Sequence, residues 1–561
     1  MSTLAGWARF PEDDLTVATM PRVHSALDRE PWLVALVSWV TYSVLGVILV
    51  SHYGVMGDAL ARVADAYYVL FSRDPHLASI GFVWNPLPGL LAVPLVALKD
   101  FWPALARQGV AASLVSAAFG GLAVFFFVRI LKRLGIPTGL RWTVTALFAL
   151  NPGVVYYAAN GMTDLMMAAT MLAAVDGLWG YLEERYLSDL LGSSLWLAVG
   201  FLIRYEVAFW AAIVAICLAF GLARLPLERA PTQRRRDWID GLLVFWMAPL
   251  VSVAIVWVFL NWTIMGDALY FLQSSYGNSA QLATGTYAYA PVDAAAGNLG
   301  ATLTYLIRQT LLFPPVVPGI VVLLAFGLAG RRERHVRALI VAATTLAIPL
   351  LQALLLYRGA SAGWLRFFLS FIVFGFVAIA FGARLMSTNK ASPLIWGSCL
   401  LLLVAGDSAT YAMLGPSTPL HTESPSTFQE IAPVVAYLDA HPRPTVLTDS
   451  FRSFPIILRV QRPKQLVISS DRDFPELLAR PLGQVDAFLV PRPTATGALD
   501  AVNRRYPELW EGREPWAELL ADFPGGDHWR LYAIRAAPEA GAGPLAPPVS
   551  PEQVAPRRAS P

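Results

Sequence analysis

Long apolar runs recur along the first three quarters of this chain and constrain its fold more than any other feature. Most are near the length of about 20 residues that a helix needs to cross the hydrocarbon core of a bilayer. Of the 561 residues, 56% are hydrophobic and only 14% are charged, a balance too apolar for a soluble protein of this length. The sequence therefore predicts a polytopic α-helical membrane protein, integral to the cytoplasmic membrane.

The apolar runs define about 11 spans separated by short loops. They cover residues 32–52, 109–129, 142–158, 164–182, 194–204, 207–223, 238–261, 310–330, 338–357, 366–384 and 394–414. Basic residues cluster in three loops, at 129–141, 224–236 and 331–337. By the positive-inside rule all three loops are cytoplasmic, which makes residues 1–31 a cytoplasmic N-terminal segment and puts the C-terminus outside.

Residues 53–108 are then predicted to form one large external loop. The apolar run 77–98 lies inside this loop, and a crossing there would turn the first basic cluster outward. Pro86, Pro88 and Pro94 interrupt the run, and proline inside a helix removes a hydrogen bond and kinks the helix. We therefore expect residues 77–98 to form an interfacial or partly dipping helix.

The composition changes after residue 415, where the chain becomes charged and rich in proline. Helical pieces alternate there with segments that are typical of short strands. These segments are TVLTDS, PIILRV, QLVISS, VDAFLVP and WRLYAIR. The pattern predicts a small external α/β domain over 425–535, and the Pro- and Ala-rich tail 536–561 is predicted to be disordered.

The composition also excludes several kinds of site. Cys217 and Cys399 both fall inside apolar runs, where a thiol usually behaves as a small hydrophobic group. The sequence therefore contains no disulfide or zinc motif. It shows no nucleic-acid signature, and membrane lipids are the partners that its composition predicts.

Two aspartates follow the first predicted span, close to the membrane surface. Asp58 and Asp65 are seven residues apart, close to two helical turns, so they project from similar faces of a helix that also carries Arg62. A carboxylate at this level can accept a proton from a hydroxyl nucleophile if it is ionised. The alternative interpretation is the solvated polar face of an interfacial helix.

Three motifs give this pattern a context. GD at 57–58, FVWNPLP at 82–88 and NPGVVYYAANGMTD at 151–164 resemble segments of the GT-C superfamily, which includes the protein O-mannosyltransferases and the aminoarabinose transferase of lipid A. The resemblance implies a transmembrane catalytic domain over 32–414 with a large external loop at 53–108. It also implies transfer of a sugar from a polyprenyl-phosphate donor to a hydroxyl of a lipid, glycan or protein acceptor on the external face.

The resemblance also assigns roles to residues. It makes Asp58 the general base, Asp164 a second acidic residue, and Arg366 in RGASAGWLRFF the partner of the donor phosphate, ahead of Arg358. For Asp164 a helix cap remains an alternative, and for the arginines so does interfacial snorkelling. The supporting candidates are Asp65, Arg62, Arg204, Glu206 and Asp267.

Other questions stay open at the level of sequence. Asn85 stands where the superfamily often has His or Lys, so no metal ligand is assigned, although a divalent cation is not excluded. The alternative function is a membrane transporter or lipid flippase, whose ionisable groups would line a path near the midplane. A further alternative is a relative without activity that presents its C-terminal domain to a partner.

Overall fold

The structure is a computed structural model that describes residues 29–224, 232–329, 332–387, 392–414 and 428–535. Nearly all of the predicted N-terminal segment 1–31 and the whole predicted tail 536–561 lie outside these ranges. Helices dominate the chain up to residue 414, and a small α/β unit follows.

The first part consists of helices of very different lengths. They are α1 (Arg29–Tyr53), α2 (Gly57–Phe71), α3 (Leu87–Val96), α4 (Ala104–Arg107), α5 (Val110–Arg133), α6 (Thr138–Leu150), α7 (Pro152–Ala159), α8 (Asp164–Glu184), α9 (Leu187–Phe201), α10 (Glu206–Ala223), α11 (Thr232–Met265), α12 (Tyr270–Gln273), α13 (Asn278–Ala283), α14 (Ala290–Asp293), α15 (Leu299–Gln309), α16 (Val316–Ala329), α17 (Arg332–Tyr357), α18 (Ser370–Met386) and α19 (Ser392–Leu414).

Among the described residues, eight helices are long and apolar enough to cross a membrane: α1, α5, α8, α10, α11, α17, α18 and α19. α15 and α16 pass the same test only as a pair that is bent by 100°, which gives nine if the pair is one broken span. The protein is therefore a multi-pass membrane protein, but the predicted count of eleven spans is not confirmed. The predicted spans 142–158 and 194–204 correspond to the shorter helices α6, α7 and α9.

The break between α6 and α7 has a local cause. Pro152 follows Asn151, whose side chain accepts hydrogen bonds from the backbone N–H groups of Gly153 (2.9 Å) and Val154 (3.2 Å). Because asparagine is a favoured N-cap and proline a favoured first helical residue, this sequence starts a new helix rather than continuing the old one. The short helix α7 then carries the chain to α8.

Close packing fixes where the turn before α8 lies. Gly161 has a φ of +80°, and a Cβ atom there would lie 2.9 Å from the Cβ atoms of both Ala59 and Ala112. Only glycine fits this backbone conformation and this space without strain. The contact holds the start of α8 against α2 and α5.

The predicted external loop contains three helices that lie before α5, namely α2, α3 and the single-turn α4. α2 buries Ala59, Leu60 and Val63 along one side, which leaves its polar residues on another side. α3 has only 10 residues and contains Pro94, so it spans about 15 Å at 1.5 Å per residue and is too short to cross a bilayer. This agrees with the expectation that 77–98 does not cross.

The second part is an α/β unit with one five-stranded sheet. Its strands are β1 (Val446–Thr448), β2 (Leu466–Ile468), β3 (Ala487–Pro491), β4 (Ala517–Phe523) and β5 (Trp529–Ile534), and its helices are α20 (Ala432–Ala440), α21 (Ser450–Ile457), α22 (Phe474–Ala479) and α23 (Ala501–Arg505). The strand order is β2-β1-β3-β5-β4. β1 is parallel to β2 and β3, whereas β5 is antiparallel to β3 and β4.

The interpretation of PIILRV as a strand was wrong. Residues 455–457 instead end α21, which begins where the side chain of Asp449 accepts a hydrogen bond from Phe451 N at 3.0 Å. This cap and the burial of Ile456 and Ile457 on one side of the helix outweigh the β propensity of the segment. β4 was not predicted, because apolar and polar residues do not alternate in its sequence, AELLADF.

Charged residues dock the α/β unit on one end of the helical bundle. Arg73 Nε lies 3.3 Å from Asp471 Oδ2, and Arg472 Nη2 lies 2.5 Å from Asp74 Oδ1. At the other end of α5 and α8, two of the basic clusters meet: Arg133 Nη1 and Arg337 Nη1 lie 3.5 Å and 2.8 Å from the carboxylate of Glu183. These two basic loops therefore share the end of the bundle that is opposite to the α/β unit.

Candidate functional site

Asp58 lies in the first turn of α2, at the end of the bundle that carries the α/β unit. Arg366 Nη2 donates to Asp58 Oδ2 at 3.0 Å, and Arg62 Nη1 donates to the main-chain oxygen of Asp58 at 2.9 Å. Burial alone would raise the pKa of the Asp58 carboxyl, but the charges of Arg366 and Arg62 outweigh it and lower that pKa below its usual range. The side chain is 37% exposed, so it is ionised and accessible.

Arg366 belongs to a 3₁₀ turn, Leu365–Phe368, just before α18. Its side chain is only 6% exposed, and its Nη1 lies 3.7 Å from Asp164 Oδ2 in addition to the contact with Asp58. The guanidinium stands over the ring of Trp364, 4.5 Å from the centroid, and near Phe367 at 5.1 Å. Ion pairs and aromatic faces therefore orient a nearly buried cation.

Asp164 is the first residue of α8, and its side chain is 2% exposed. Arg204 Nη1 donates to Asp164 Oδ1 at 3.0 Å, while Arg204 Nη2 lies 2.5 Å from Glu206 Oε1. The N-cap of α8 is Thr163, which makes no side-chain cap bond. In the structure the carboxylate of Asp164 thus faces two arginines.

These side chains form one continuous set, which we call the charged cluster. Its members are Asp58, Arg62, Asp164, Arg204, Glu206 and Arg366. Three carboxylates balance three guanidinium groups, so the cluster is neutral as it stands. The three acidic residues lie in the first turns of α2, α8 and α10, where the positive end of the helix dipole also favours negative charge.

Three of the predicted candidates lie outside the charged cluster. Arg358 is exposed, although it precedes Arg366 in the same segment. The side chain of Asp267 accepts a hydrogen bond from Leu269 N at 2.8 Å and so closes a local turn. Within the described ranges, no group of three or more His, Cys, Asp or Glu side chains could hold a metal ion.

The third candidate outside the charged cluster is Asp65. It is half-buried and lies two turns after Asp58 on α2. Burial raises the pKa of its carboxyl to about 8, and the charge of Arg62 offsets this only in part. At neutral pH this carboxyl is therefore mostly protonated. Of the two aspartates of α2, Asp58 is therefore the better candidate for a base that must be ionised.

The raised pKa of Asp65 predicts a pH-dependent stability. The unfolded chain releases this proton near pH 4, whereas the folded protein keeps it up to about pH 8, so the parent loses stability between these values as the pH rises. We expect Asp65→Asn to gain stability over the parent at pH 9 but not at pH 4. Midpoints of thermal unfolding of both proteins at the two pH values test this, and an equal difference at both would contradict it.

Aromatic residues around the charged cluster were not among the predicted site residues. The ring of Phe82 stacks on Trp257 with centroids 5.3 Å apart, and Trp257 Nε1 donates to the hydroxyl of Tyr205 at 3.0 Å. Tyr205 immediately follows Arg204 in the chain. In the sequence WLRFF, aromatic residues flank an arginine, and this pattern could have identified Trp364 and Phe367 as site residues.

The fold has solved relatives. ArnT from Cupriavidus metallidurans bound to undecaprenyl phosphate aligns with a TM-score of 0.52 and 12% identity, over 91% of this chain and 99% of ArnT. The apo state of ArnT aligns with a TM-score of 0.50 and 12% identity, over 91% of this chain and 98% of ArnT. A third solved structure is the archaeal oligosaccharyltransferase AglB from Archaeoglobus fulgidus, in complex with an inhibitory peptide and a dolichol-phosphate. It aligns with a TM-score of 0.47 and 11% identity, over 90% of this chain and 74% of AglB.

No protein-family model and no curated protein sequence matches this chain. The likeness to ArnT nevertheless extends over nearly the whole of both chains. At 12% identity it concerns the fold, and it agrees with the layout that the sequence motifs indicated. The chain therefore has the same overall fold as ArnT.

Proposed function

We propose that this protein is a glycosyltransferase that moves a sugar from a polyprenyl-phosphate donor to an acceptor hydroxyl. The reaction takes place at the external surface of the cytoplasmic membrane, with the N-terminus in the cytoplasm and the α/β unit outside. The observation that carries the proposal is the ion pair between Asp58 and Arg366, an accessible carboxylate beside a nearly buried cation. The undecaprenyl phosphate bound to ArnT supports the choice of donor.

In the proposed reaction Asp58 takes the proton of the acceptor hydroxyl. The hydroxyl oxygen then forms a bond to the anomeric carbon of the sugar, and the bond from that carbon to the phosphate oxygen breaks. Polyprenyl phosphate leaves with one additional negative charge. Arg366 stabilises this charge, because a positioned guanidinium is a strong hydrogen-bond donor to phosphate.

Asp164 and Arg204 hold Arg366 in place from the other side. Asp164 contacts both guanidinium groups, at 3.0 Å and 3.7 Å. Its carboxylate is almost fully buried, so it is a positioning residue rather than a base. Glu206 completes the chain of alternating charges through Arg204.

The position of the charged cluster supports an enzyme over a transporter. Its acidic members lie in the first turns of α2, α8 and α10. Arg204 and Arg366 lie in the turns before α10 and α18, and Arg62 lies one turn after Asp58, so the whole cluster is at one end of the bundle. Transporters usually keep ionisable groups near the midplane of the membrane. A polyprenyl phosphate carries its lipid in the bilayer and its phosphate at the interface, so a binding site at one end of the bundle suits such a donor.

Donor binding tests the proposal directly. We expect Arg366→Gln to weaken binding of polyprenyl phosphate about tenfold to hundredfold, because a hydrogen bond to a charged group contributes about 1.5–3 kcal/mol. The measurement is a binding titration with the purified protein in nanodiscs. Arg358→Gln is the matched control, since it removes the same charge from an exposed position of the same segment. Equal affinities for parent and Arg366→Gln would remove Arg366 from the phosphate site.

A further inference from the structure

The α/β unit has no role in the reaction described so far, yet one segment connects it to Arg366. Residues 274–293, which we call the linking segment, lie between α12 and α15 and include α13 and α14. One end of this segment contacts the α/β unit. The other end contacts the turn that carries Arg366.

Tyr276 anchors the first end. Its hydroxyl donates to Asp449 Oδ2 at 2.8 Å and accepts a hydrogen bond from Arg504 Nη2 at 3.1 Å. Its ring packs on Phe451 with centroids 5.1 Å apart. Burial and the charge of Asp449 raise the pKa of Tyr276 well above its usual value, so the hydroxyl keeps the proton that it donates.

Asp449 is well placed to receive this hydrogen bond. It is fully buried at the carboxyl end of β1, where a doubly wound sheet commonly binds its ligands. Its carboxylate also accepts from Ala501 N at 2.7 Å and from Ser469 Oγ at 2.8 Å. The linking segment thus inserts Tyr276 into a polar crevice that the α/β unit has built.

Two glutamine hydrogen bonds continue from Tyr276 toward the site. Gln281 Nε2 donates to the main-chain oxygen of Tyr276 at 2.8 Å, and the hydroxyl of Tyr287 donates to Gln281 Oε1 at 3.3 Å. The ring of Tyr287 meets the ring of Trp364 edge-on, with centroids 5.0 Å apart and an interplanar angle of 82°. Trp364 is the ring over which the guanidinium of Arg366 stands.

The turn before Arg366 depends on its neighbours for its shape. Asn278 Nδ2 donates to the main-chain oxygen of Ala360 at 3.1 Å, and the hydroxyl of Tyr305 donates to that of Gly363 at 2.5 Å. Gly363 has a φ of +66°, and a Cβ atom there would lie 2.5 Å from Val292 Cγ2. The linking segment and α15 therefore hold this turn at several points.

We infer that Tyr276 is a positioning residue through which the α/β unit holds the linking segment, and with it Trp364 and Arg366, in the arrangement that binds the donor phosphate. The part that concerns the donor rests on the proposed function. The part that concerns order in the turn does not. A contiguous set of contacts alone does not establish coupling, but coupling through Tyr276 predicts two measurable effects.

The first effect is local order, measured by hydrogen exchange of the full-length protein in nanodiscs. We expect Tyr276→Ala to increase exchange in peptides that cover 278–289 and also in those that cover 358–368, which Tyr276 does not contact. Tyr276→Phe keeps the ring packing and loses only the hydroxyl, so it should show the same change to a smaller extent. Unchanged exchange at 358–368 in both variants would overturn the inference.

The control is Tyr506→Phe. The hydroxyl of Tyr506 donates to the main-chain oxygen of Leu478 at 2.8 Å, within the α/β unit. Its loss should leave exchange at 278–289 and at 358–368 unchanged. The same increase in this variant would mean that any perturbation of the α/β unit has this effect, and would overturn the role of Tyr276.

The second effect is on affinity for polyprenyl phosphate. We expect Tyr276→Ala and Tyr287→Ala each to weaken binding about fivefold to twentyfold. The double variant should weaken binding no more than the stronger single variant does, because substitutions that act through one set of contacts are not additive. Multiplied effects would overturn the inference. If the parent itself binds no polyprenyl phosphate, the proposed function fails, and the exchange experiment still decides the inference.

Discussion

Replacing Asp58 by asparagine is expected to lower the rate of sugar transfer about 10²- to 10⁴-fold, the contribution that a positioned general base usually makes. Asparagine has nearly the same shape but cannot accept the proton of the acceptor hydroxyl. The residue is 37% exposed and lies at the start of α2, so the substitution should leave the fold intact. The measurement is release of polyprenyl phosphate from synthetic polyprenyl-phosphate sugars by the purified protein.

The same variant should bind the donor more tightly, although it transfers the sugar more slowly. In the resting structure Arg366 is paired with Asp58 at 3.0 Å, so a donor phosphate must compete with this carboxylate for the guanidinium. Asp58→Asn removes the competitor, and we expect it to bind polyprenyl phosphate more tightly than the parent. Binding of donor would thereby also free Asp58 to meet the acceptor.

Asp65→Asn is the matched control for both measurements. It alters the same helix two turns further on, at a carboxyl that is mostly protonated at neutral pH. We expect transfer and donor affinity to stay within about twofold of the parent, as for a neutral substitution outside the contacts of the cluster. Equal transfer by folded Asp58→Asn and parent would show that Asp58 is not the base.

Much of the fold could be predicted because it follows from local properties of the sequence. Apolar runs of sufficient length correspond to the eight long helices, and two of the basic clusters do meet at one end of the bundle, around Glu183. The count of spans was less accurate. Hydropathy does not reveal that Asn151 caps a new helix or that α15 and α16 meet at 100°.

The contacts between the site residues could not be predicted from the sequence. Arg366 and Asp58 are separated by 308 positions, and their meeting depends on how α2, α8 and the turn before α18 pack. Arg358 and Arg366 look alike as cations of one segment, and the turn between them decides which one is buried. The α/β unit was recognised by its strand pattern, but the contact of Tyr276 with Asp449 has no signal in the sequence.

Replacing Arg204 by methionine is expected to destabilise the protein by about 3–5 kcal/mol, the usual cost of leaving buried charges without their partner. Arg204 pairs with Asp164 at 3.0 Å and with Glu206 at 2.5 Å, and none of the three side chains is more than 21% exposed. Methionine fills a similar length without the charge. The measurement is the midpoint of thermal unfolding in detergent or nanodiscs.

A compensated variant separates the structural part of this effect from the catalytic part. In Asp164→Asn, Arg204→Met, Glu206→Gln the two acidic partners of Arg204 are neutral as well, so neither carboxylate is left buried without its arginine. Part of the lost stability should return, while Asp58 alone then balances Arg62 and Arg366. Transfer should stay low, because Arg366 has lost Asp164, its buried neighbour at 3.7 Å. If the triple variant were as unstable as Arg204→Met, packing rather than charge would explain the loss. Full transfer in the stable triple variant would show that the cluster serves the fold and that Asp58 and Arg366 suffice for the reaction.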